Sequence, residues 1–283
     1  MRVAVIGARG QLGAEVLRAF ASGHDVSPLG RADLDVTDDQ AVAATIARVR
    51  PDAIINCAAY NDVDGAEEHP VDALNVNAFA VRALARAAAD RGALLVHFST
   101  DFVFDGTAAS PYTEDDRPDP RCVYGASKLL GEWFAADAMR WYVLRVESLF
   151  GRAEVGPAPK GTIAGMVKKL MAREEMNVFQ DRTVSPTYVE DAARATRQLV
   201  EMQPAPGLYH CVNAGSCTWL EFAEALAGEL GIEPRLVPVR MADVPLRAER
   251  PQYCALSNHK LNAAGITMPT WQDALTDYLA SEQ

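Results

Sequence analysis

Tyr124-Gly125-Ala126-Ser127-Lys128 sets a phenol and an ammonium four positions apart. On a helix, residues i and i+4 share one face. A lysine beside a phenol favours phenolate and lowers the tyrosine pKa from about 10, which suits a general acid/base working near neutral pH. A second group precedes it: the apolar run Leu94–Phe98 ends in Ser99-Thr100-Asp101. Hydroxyls at the carboxyl end of a central strand lie where open α/β sheets bind ligands. A third, Gly7-Ala8-Arg9-Gly10-Gln11-Leu12-Gly13, is spaced G-x-x-G-x-x-G. Glycines there let backbone approach a pyrophosphate, and a following helix N-terminus offers free N–H groups and a favourable dipole. Each motif alone also fits a surface pair or a packing turn; their order along the chain gives them weight.

Those residues need a scaffold, and the first 150 residues supply its pattern. Val3–Ile6 reads as a strand buried on both faces, Gln11–Ala21 as a helix and His24–Leu29 as a second strand. The helix Gln40–Val49, the strand Asp52–Cys57, one long helix Val71–Arg91 and the strand Ala93–Ser99 follow. Tyr124–Ala138 reads as a helix and Trp141–Val146 as a strand. Repeated βα alternation means a parallel sheet wound on both sides, with right-handed crossovers. After Gly151 the rhythm changes. Arg152–Gly161 reads as a mobile loop; helices follow at Ile163–Ala172, Glu190–Met202, Trp219–Leu230 and Trp271–Leu279, with extended runs Gly207–Val212 and Pro234–Arg240. The expected organisation is an α/β dinucleotide-binding domain over 1–150 and a smaller α/β substrate lobe over 151–283, with residues near 183–200 returning to the first.

Composition narrows the partners. The 283 residues are 49% hydrophobic and carry a formal net charge of -11. That charge argues against nucleic acid and against an anionic membrane, both of which need basic surfaces. No apolar run is long enough to cross a membrane. Cys57, Cys122, Cys211, Cys217 and Cys254 are odd in number and without C-x-x-C spacing, so they read as reduced thiols of a cytoplasmic protein. No histidine pair has metal-ligand spacing. At the end of the second strand stands Leu29-Gly30-Arg31 where an acidic residue would bind the ribose 2′-hydroxyl of NAD. Arg31 suits a 2′-phosphate instead, which favours NADPH, with NADH possible; Asp35-Val36 would flank the adenine.

Together the glycine loop, Asn56-Cys57-Ala58-Ala59-Tyr60, Val76-Asn77-Ala78, Ser99 to Gly106, Pro111-Tyr112, Tyr124 to Lys128 and Gly131-Glu132 resemble the extended short-chain dehydrogenase/reductase superfamily. Within it they resemble the dTDP-4-dehydrorhamnose reductase family, over essentially the whole chain. The resemblance implies a Rossmann-type fold and NADPH-dependent reduction of the 4-keto group of a nucleotide-linked deoxysugar. It implies that Tyr124 protonates the developing alkoxide, Lys128 holds the nicotinamide ribose, and Thr100 hydrogen-bonds the carbonyl oxygen. Gly7, Arg9, Gly10, Gln11, Leu12, Gly13, Arg31, Asp35, Val36, Ala58, Ala59, Tyr60 and Asn77 would bind the cofactor, with Tyr124 and Lys128. Asp101, Phe102 and Glu147 would join Thr100 on the substrate side; Arg182 and Arg250 are the candidates for the sugar nucleotide's phosphates and fit equally well as surface or interdomain salt-bridge arginines. Some relatives bind Mg²⁺ at a dimer contact; no residue here assigns it, and a monomer or a homodimer fits equally.

Three departures stand out. The family's Thr-Asp-Tyr is Thr100-Asp101-Phe102, its Arg-Thr-Ser-Trp is Arg145-Val146-Glu147-Ser148, and its Asp-Gln is Asp181-Arg182. They fit a different sugar or nucleotide as well as they fit drift. Phe102 takes the place of the second acid that a 4,6-dehydratase needs. A 4-epimerase uses the same tyrosine and lysine but prefers tightly held NAD. A regulatory subunit like methionine adenosyltransferase beta is the non-catalytic alternative.

Overall fold

The computed structural model describes residues 1–152 and 162–281. Most of the loop expected at Arg152–Gly161 lies outside the described residues. The first half builds β1 (Arg2–Ile6), α1 (Gln11–Ala21), β2 (Asp25–Leu29), α2 (Asp39–Val49), β3 (Ala53–Asn56) and α3 (Val63–Glu68). It continues with α4 (Pro70–Leu74), a π-helical turn (Asn75–Phe79), α5 (Ala80–Arg91), β4 (Leu94–Thr100), a 3₁₀ turn (Asp101–Val103), α6 (Val123–Ala135) and β5 (Arg140–Val146). The second half adds β6 (Leu149–Phe150), α7 (Thr162–Met171), β7 (Glu175–Phe179), β8 (Thr183–Val184), β9 (Thr187–Tyr188) and α8 (Val189–Met202). β10 (Gly207–His210), β11 (Cys217–Thr218), α9 (Trp219–Glu229), β12 (Arg235–Val239), α10 (His259–Ala263) and α11 (Trp271–Ser281) complete it.

Six strands form the main sheet in the order β10-β5-β4-β3-β1-β2, every pair parallel. It is a Rossmann-like α/β sheet covered on both faces. Successive residues of β1 explain why both faces are apolar: Val3 and Val5 enter one core, Ala4 and Ile6 the other. The first core takes α1 and α8 and runs on without a break into β7, α9 and α11. The second packs α2 and the alanine-rich α5. The two halves of the chain are thus joined in one core, and the sixth strand of the sheet comes from residues 207–210. α8 lies against α1, where Arg197 donates to the Ala19 carbonyl at 2.8 Å. No described helix is long and apolar enough to cross a membrane.

The long helix expected over Val71–Arg91 is broken. Residues 75–79 open into the π turn, and α6 crosses it so closely that a Cβ on Gly131 would stand 2.2 Å from the Asn77 carbonyl oxygen. Periodicity alone does not reveal a one-residue widening of a helix.

Candidate active site

β1, the glycine loop and α1 make the first wall. Gly7 has φ +74°, and a Cβ there would lie 2.7 Å from the Ala58 nitrogen; one on Gly13 would lie 2.3 Å from the Gly7 carbonyl oxygen. The loop is therefore pressed against both β3 and its own helix, which only glycine permits. Gly10 caps α1 with no side-chain hydrogen bond, so the first N–H groups of the helix remain open. They face a cleft lying over the carboxyl ends of the strands. One part of it, about 600 Å³, is lined by Gly7, Arg9, Arg31, Asp35, Val36 and Ala58 among others. The other, about 310 Å³, is lined by Gly10 to Gly13, Thr100 to Phe102, Tyr124, Lys128 and Glu147. Both include Gly10, Cys57, Ala58, Ala59 and Asn61, so the two parts meet at the end of β3. A cradle without side chains, an open helix N-terminus and two guanidinium groups at the far end fit a dinucleotide with a phosphorylated ribose.

At β2's end the acids are occupied locally. Asp33 Oδ2 accepts from the Gly30 N–H at 2.9 Å, and Asp35 Oδ1 accepts from the Thr37 N–H and hydroxyl at 3.0 and 2.7 Å. The hydrogen bonds from Thr37 hold the Asp35 carboxyl below its usual range. Arg9 folds over Gly30, leaving Arg31 exposed at the rim.

The reacting groups stand at the ends of β4 and α6. Thr100 ends β4, and α6 starts at Val123 on a Cys122 Sγ cap, bringing Tyr124 and Lys128 to the same side. All three are buried. The Lys128 ammonium donates to the Phe98 carbonyl at 2.5 Å. Burial lowers the Lys128 pKa to about 8, against an opposing pull from Glu132. For Tyr124 the expected lowering by lysine is not what the structure holds. Burial first, then the Asp101 carboxylate, push the phenol up, while the Thr100 hydroxyl pulls it back. The lysine is committed to the β4 backbone, so burial dominates. Behind Lys128, Glu132 accepts from Ser99 at 2.6 Å and takes both arms of Arg145 at 2.8 Å, a buried brace between α6, β4 and β5.

A second cluster sits beneath Thr100. Asp101 Oδ1 accepts from the Thr100 hydroxyl at 2.9 Å, and Glu147 Oε2 accepts from the Ser185 N–H at 2.7 Å. Asp101, Glu147 and Cys254 each bring an atom within 4.8 Å of the others, and all three are buried. The Arg182 guanidinium lies 3.7 Å from Cys254 Sγ and stacks on Phe102 at 5.4 Å. Phe102 in turn meets Tyr124 edge to face at 5.4 Å. Burial raises the carboxyls of Asp101 and, more strongly, Glu147.

Of the residues expected on the substrate side, Thr100, Asp101, Phe102 and Glu147 line the cleft. Arg182 stands behind Phe102, its charge turned to the acids rather than to solvent. Arg250 is turned elsewhere: it pairs with Asp64 at 2.7 and 3.1 Å, tying the segment after β12 to α3. Asn77 is fully buried and supports the cleft from behind, accepting from the Tyr60 N–H at 2.8 Å and donating to Ser127 at 3.0 Å. Sequence reasoning passed over Ser127, which donates to the Tyr124 carbonyl at 2.7 Å and so joins α6 to Asn77. Its place inside Y-x-x-S-K was the available signal. It also passed over Cys254 and Ser185, which distant parts of the chain bring to Asp101 and Glu147.

With this geometry in place, comparison with known proteins identifies the family. The model of the RmlD substrate binding domain matches residues 1–283. A spore coat polysaccharide biosynthesis protein of Bacillus subtilis is 34% identical over 98% of this chain and 96% of its own. A dTDP-4-dehydrorhamnose reductase of Burkholderia thailandensis is 35% identical over 97% of each. The crystal structure of the Bacillus anthracis dTDP-4-dehydrorhamnose reductase in complex with NADP superposes with a TM-score of 0.93, at 33% identity over 99% of both chains. A chain matched end to end in sequence and in fold belongs to the RmlD substrate-binding-domain family.

Proposed function

We propose that this protein is an NADPH-dependent reductase of the 4-keto group of a nucleotide-linked deoxysugar, acting as dTDP-4-dehydrorhamnose reductases do. The observation that carries the reading is the convergence of Thr100, Tyr124 and Lys128 on a cleft that continues into the glycine cradle. The relatives named as such reductases, and the one solved with NADP, support the substrate class and the cofactor. Bound NADPH supplies a hydride to the ketone carbon. Tyr124 carries its proton at neutral pH, as a phenol does even before burial raises its pKa further, and gives it to the forming alkoxide. Lys128 presents a positive charge beside the cleft, held in place by the Phe98 carbonyl. Gly7, Gly10 and Gly13 admit the pyrophosphate to backbone N–H groups, while Arg9 and Arg31 face the 2′-phosphate end. The net charge of -11 is no obstacle, because these donors act locally. The reading places the enzyme in the cytoplasm as a monomer or homodimer, and it assigns Mg²⁺ no ligand.

The test is a panel of 4-keto sugar nucleotides, dTDP-4-dehydrorhamnose among them, assayed by loss of NADPH absorbance. Stoichiometric oxidation with at least one member is expected. Isomer interconversion without net oxidation, or no response across the panel, refutes the reading. Tyr124→Phe is expected to lose about 10²–10⁴ in kcat while retaining NADPH affinity.

A further inference from the structure

The exit of β5, the turn after β4 and the segment after β8 meet at a buried pair of acids. Asp101 and Glu147 are 3% and 2% exposed, and an atom of each lies within 4.8 Å of the other. One oxygen of each is already placed. Asp101 Oδ1 accepts from the Thr100 hydroxyl at 2.9 Å, and Glu147 Oε2 accepts from the Ser185 N–H at 2.7 Å. The other two, Asp101 Oδ2 and Glu147 Oε1, are buried without a hydrogen-bond partner. Two ionised carboxylates with bare oxygens are costly there, and a single proton between the bare oxygens satisfies both.

The charges around the pair fix the number of protons at one. Arg182 is the cation facing both acids, and it balances one carboxylate. The other groups facing the pair, Cys254, Cys217, Tyr253 and Tyr124, are thiols and phenols that burial holds protonated. Asp101 is the better carboxylate of the two, because Arg182 and the hydrogen bond from Thr100 both favour its charge. Burial raises Glu147 the more strongly, against the Ser185 N–H and Arg182. The proton therefore sits on Glu147 Oε1 with Asp101 Oδ2 as its acceptor, and the Thr100–Asp101 bond keeps its direction. A neutral Glu147 no longer repels Asp101, so the two bare oxygens can close to hydrogen-bond distance. We propose that Glu147 works as a neutral positioning residue, donating to Asp101 and so tying the segment at Ser185 to the strand end and turn that carry Thr100 and Phe102. Both ends of the tie bear on the site. Ser185 is anchored in the second half of the chain, where its hydroxyl accepts from the Leu256 N–H at 3.2 Å. Asp101 opens the 3₁₀ turn whose Phe102 meets the Tyr124 ring edge to face at 5.4 Å. For its effect on rate the proposal rests on the ketone-reductase reading above.

The experiment compares wild type, Glu147→Gln and Glu147→Leu. Glutamine keeps a donor for Asp101 and an acceptor for the Ser185 N–H; leucine has neither. With dTDP-4-dehydrorhamnose and NADPH at pH 7, Glu147→Leu should lose about tenfold or more in kcat as Thr100 and Tyr124 lose their fixed placement. Glu147→Gln should regain most of that loss, and NADPH affinity should stay within about twofold in both. Equal losses in the two variants overturn the proposal. Urea unfolding without ligand tests the proton and needs no activity. A carboxyl that binds its proton more tightly folded than unfolded weakens the fold as pH rises above its ordinary value of 4.5. Between pH 5 and pH 8 the folding constant of wild type should therefore fall relative to Glu147→Gln, by up to about tenfold per pH unit. A constant ratio, or one that moves the other way, means a Glu147 ionised against Arg182 and overturns the proposal. The infrared difference between wild type and Glu147→Gln at pH 7 should contain a protonated-carboxyl band that shifts in D₂O, and its absence likewise overturns the neutral Glu147. Failure of wild type to oxidise NADPH would instead refute the reductase reading, leaving unfolding and the infrared band to report on the proton.

Discussion

Replacing Lys128 with methionine should make the protein more stable while abolishing its chemistry. The ammonium is 3% exposed and its pKa falls from an ordinary 10.5 to about 8. At about 1.4 kcal/mol per pH unit, keeping it charged in the folded state costs about 3 kcal/mol. Methionine fills similar volume without that cost but leaves the Phe98 carbonyl without its 2.5 Å donor, a loss of about 1 kcal/mol. The net gain is about 2 kcal/mol at pH 7, or roughly 4–8 °C in Tm for a chain of this size. The pH dependence is the sharper test. Below pH 8 the lysine is charged both folded and unfolded, so the whole cost applies. Between pH 8 and 10.5 the unfolded chain binds the extra proton, and wild-type stability rises with pH relative to the variant. Urea unfolding of both proteins without ligand, at pH 7 and pH 10, reads this directly. The variant should lead at pH 7 and lose nearly all of that lead at pH 10. Equal stability at pH 7, or a pH-independent gap, would refute the reasoning. Reductase activity should be lost at both pH values.

Three further substitutions probe other parts of the structure. Arg31→Ala should raise the KM for NADPH roughly tenfold through loss of a charge-assisted contact, leaving NADH unchanged in parallel steady-state assays. Gly131→Ala would press a methyl group 2.2 Å from the Asn77 carbonyl; it should cost about 1–3 kcal/mol in denaturant unfolding and lower kcat by shifting Ser127 and Tyr124. Arg250→Ala removes a half-exposed pair with Asp64; the expected loss is at most about 1 kcal/mol, with KM for the sugar nucleotide unchanged.

What could be read in advance was local. Gln11–Ala21 is a helix with those very ends because a glycine turn starts it and a Leu12, Val16, Phe20 stripe drives it into the core. The strands with four or more consecutive apolar residues were legible for the same reason. Tyr124 and Lys128 were legible as a pair because i, i+4 spacing sets them on one face of α6, while Thr100 was marked by its place at the end of an apolar strand and its role came from the family resemblance. The π turn was hidden because a one-residue widening leaves no mark in the apolar spacing, and the helix that packs on it at Gly131 lies more than fifty residues along the chain. β7 and β12 pair with each other through residues some sixty positions apart, and β7 went unread. Arg250 fitted a phosphate ligand and a salt-bridge arginine equally, because the partner that decides between them, Asp64, is 186 residues away. The meeting of Arg182, Cys254 and Glu147 likewise depends on segments that only the tertiary fold brings together.

The place of β10 has a consequence for how the protein is made. A nascent chain that has just released β5 exposes the open edge that Gly207–His210 will later cover. It also exposes the apolar face of α1 that waits for α8. About 60 more residues must leave the ribosome first, which takes roughly 3–12 s at ordinary rates of synthesis. During that interval a parallel sheet with a bare edge is a template for pairing with other chains. A fragment ending near residue 150 would keep that edge permanently and should aggregate, whatever cofactor is offered to it. Making the cradle first does not let it fold first.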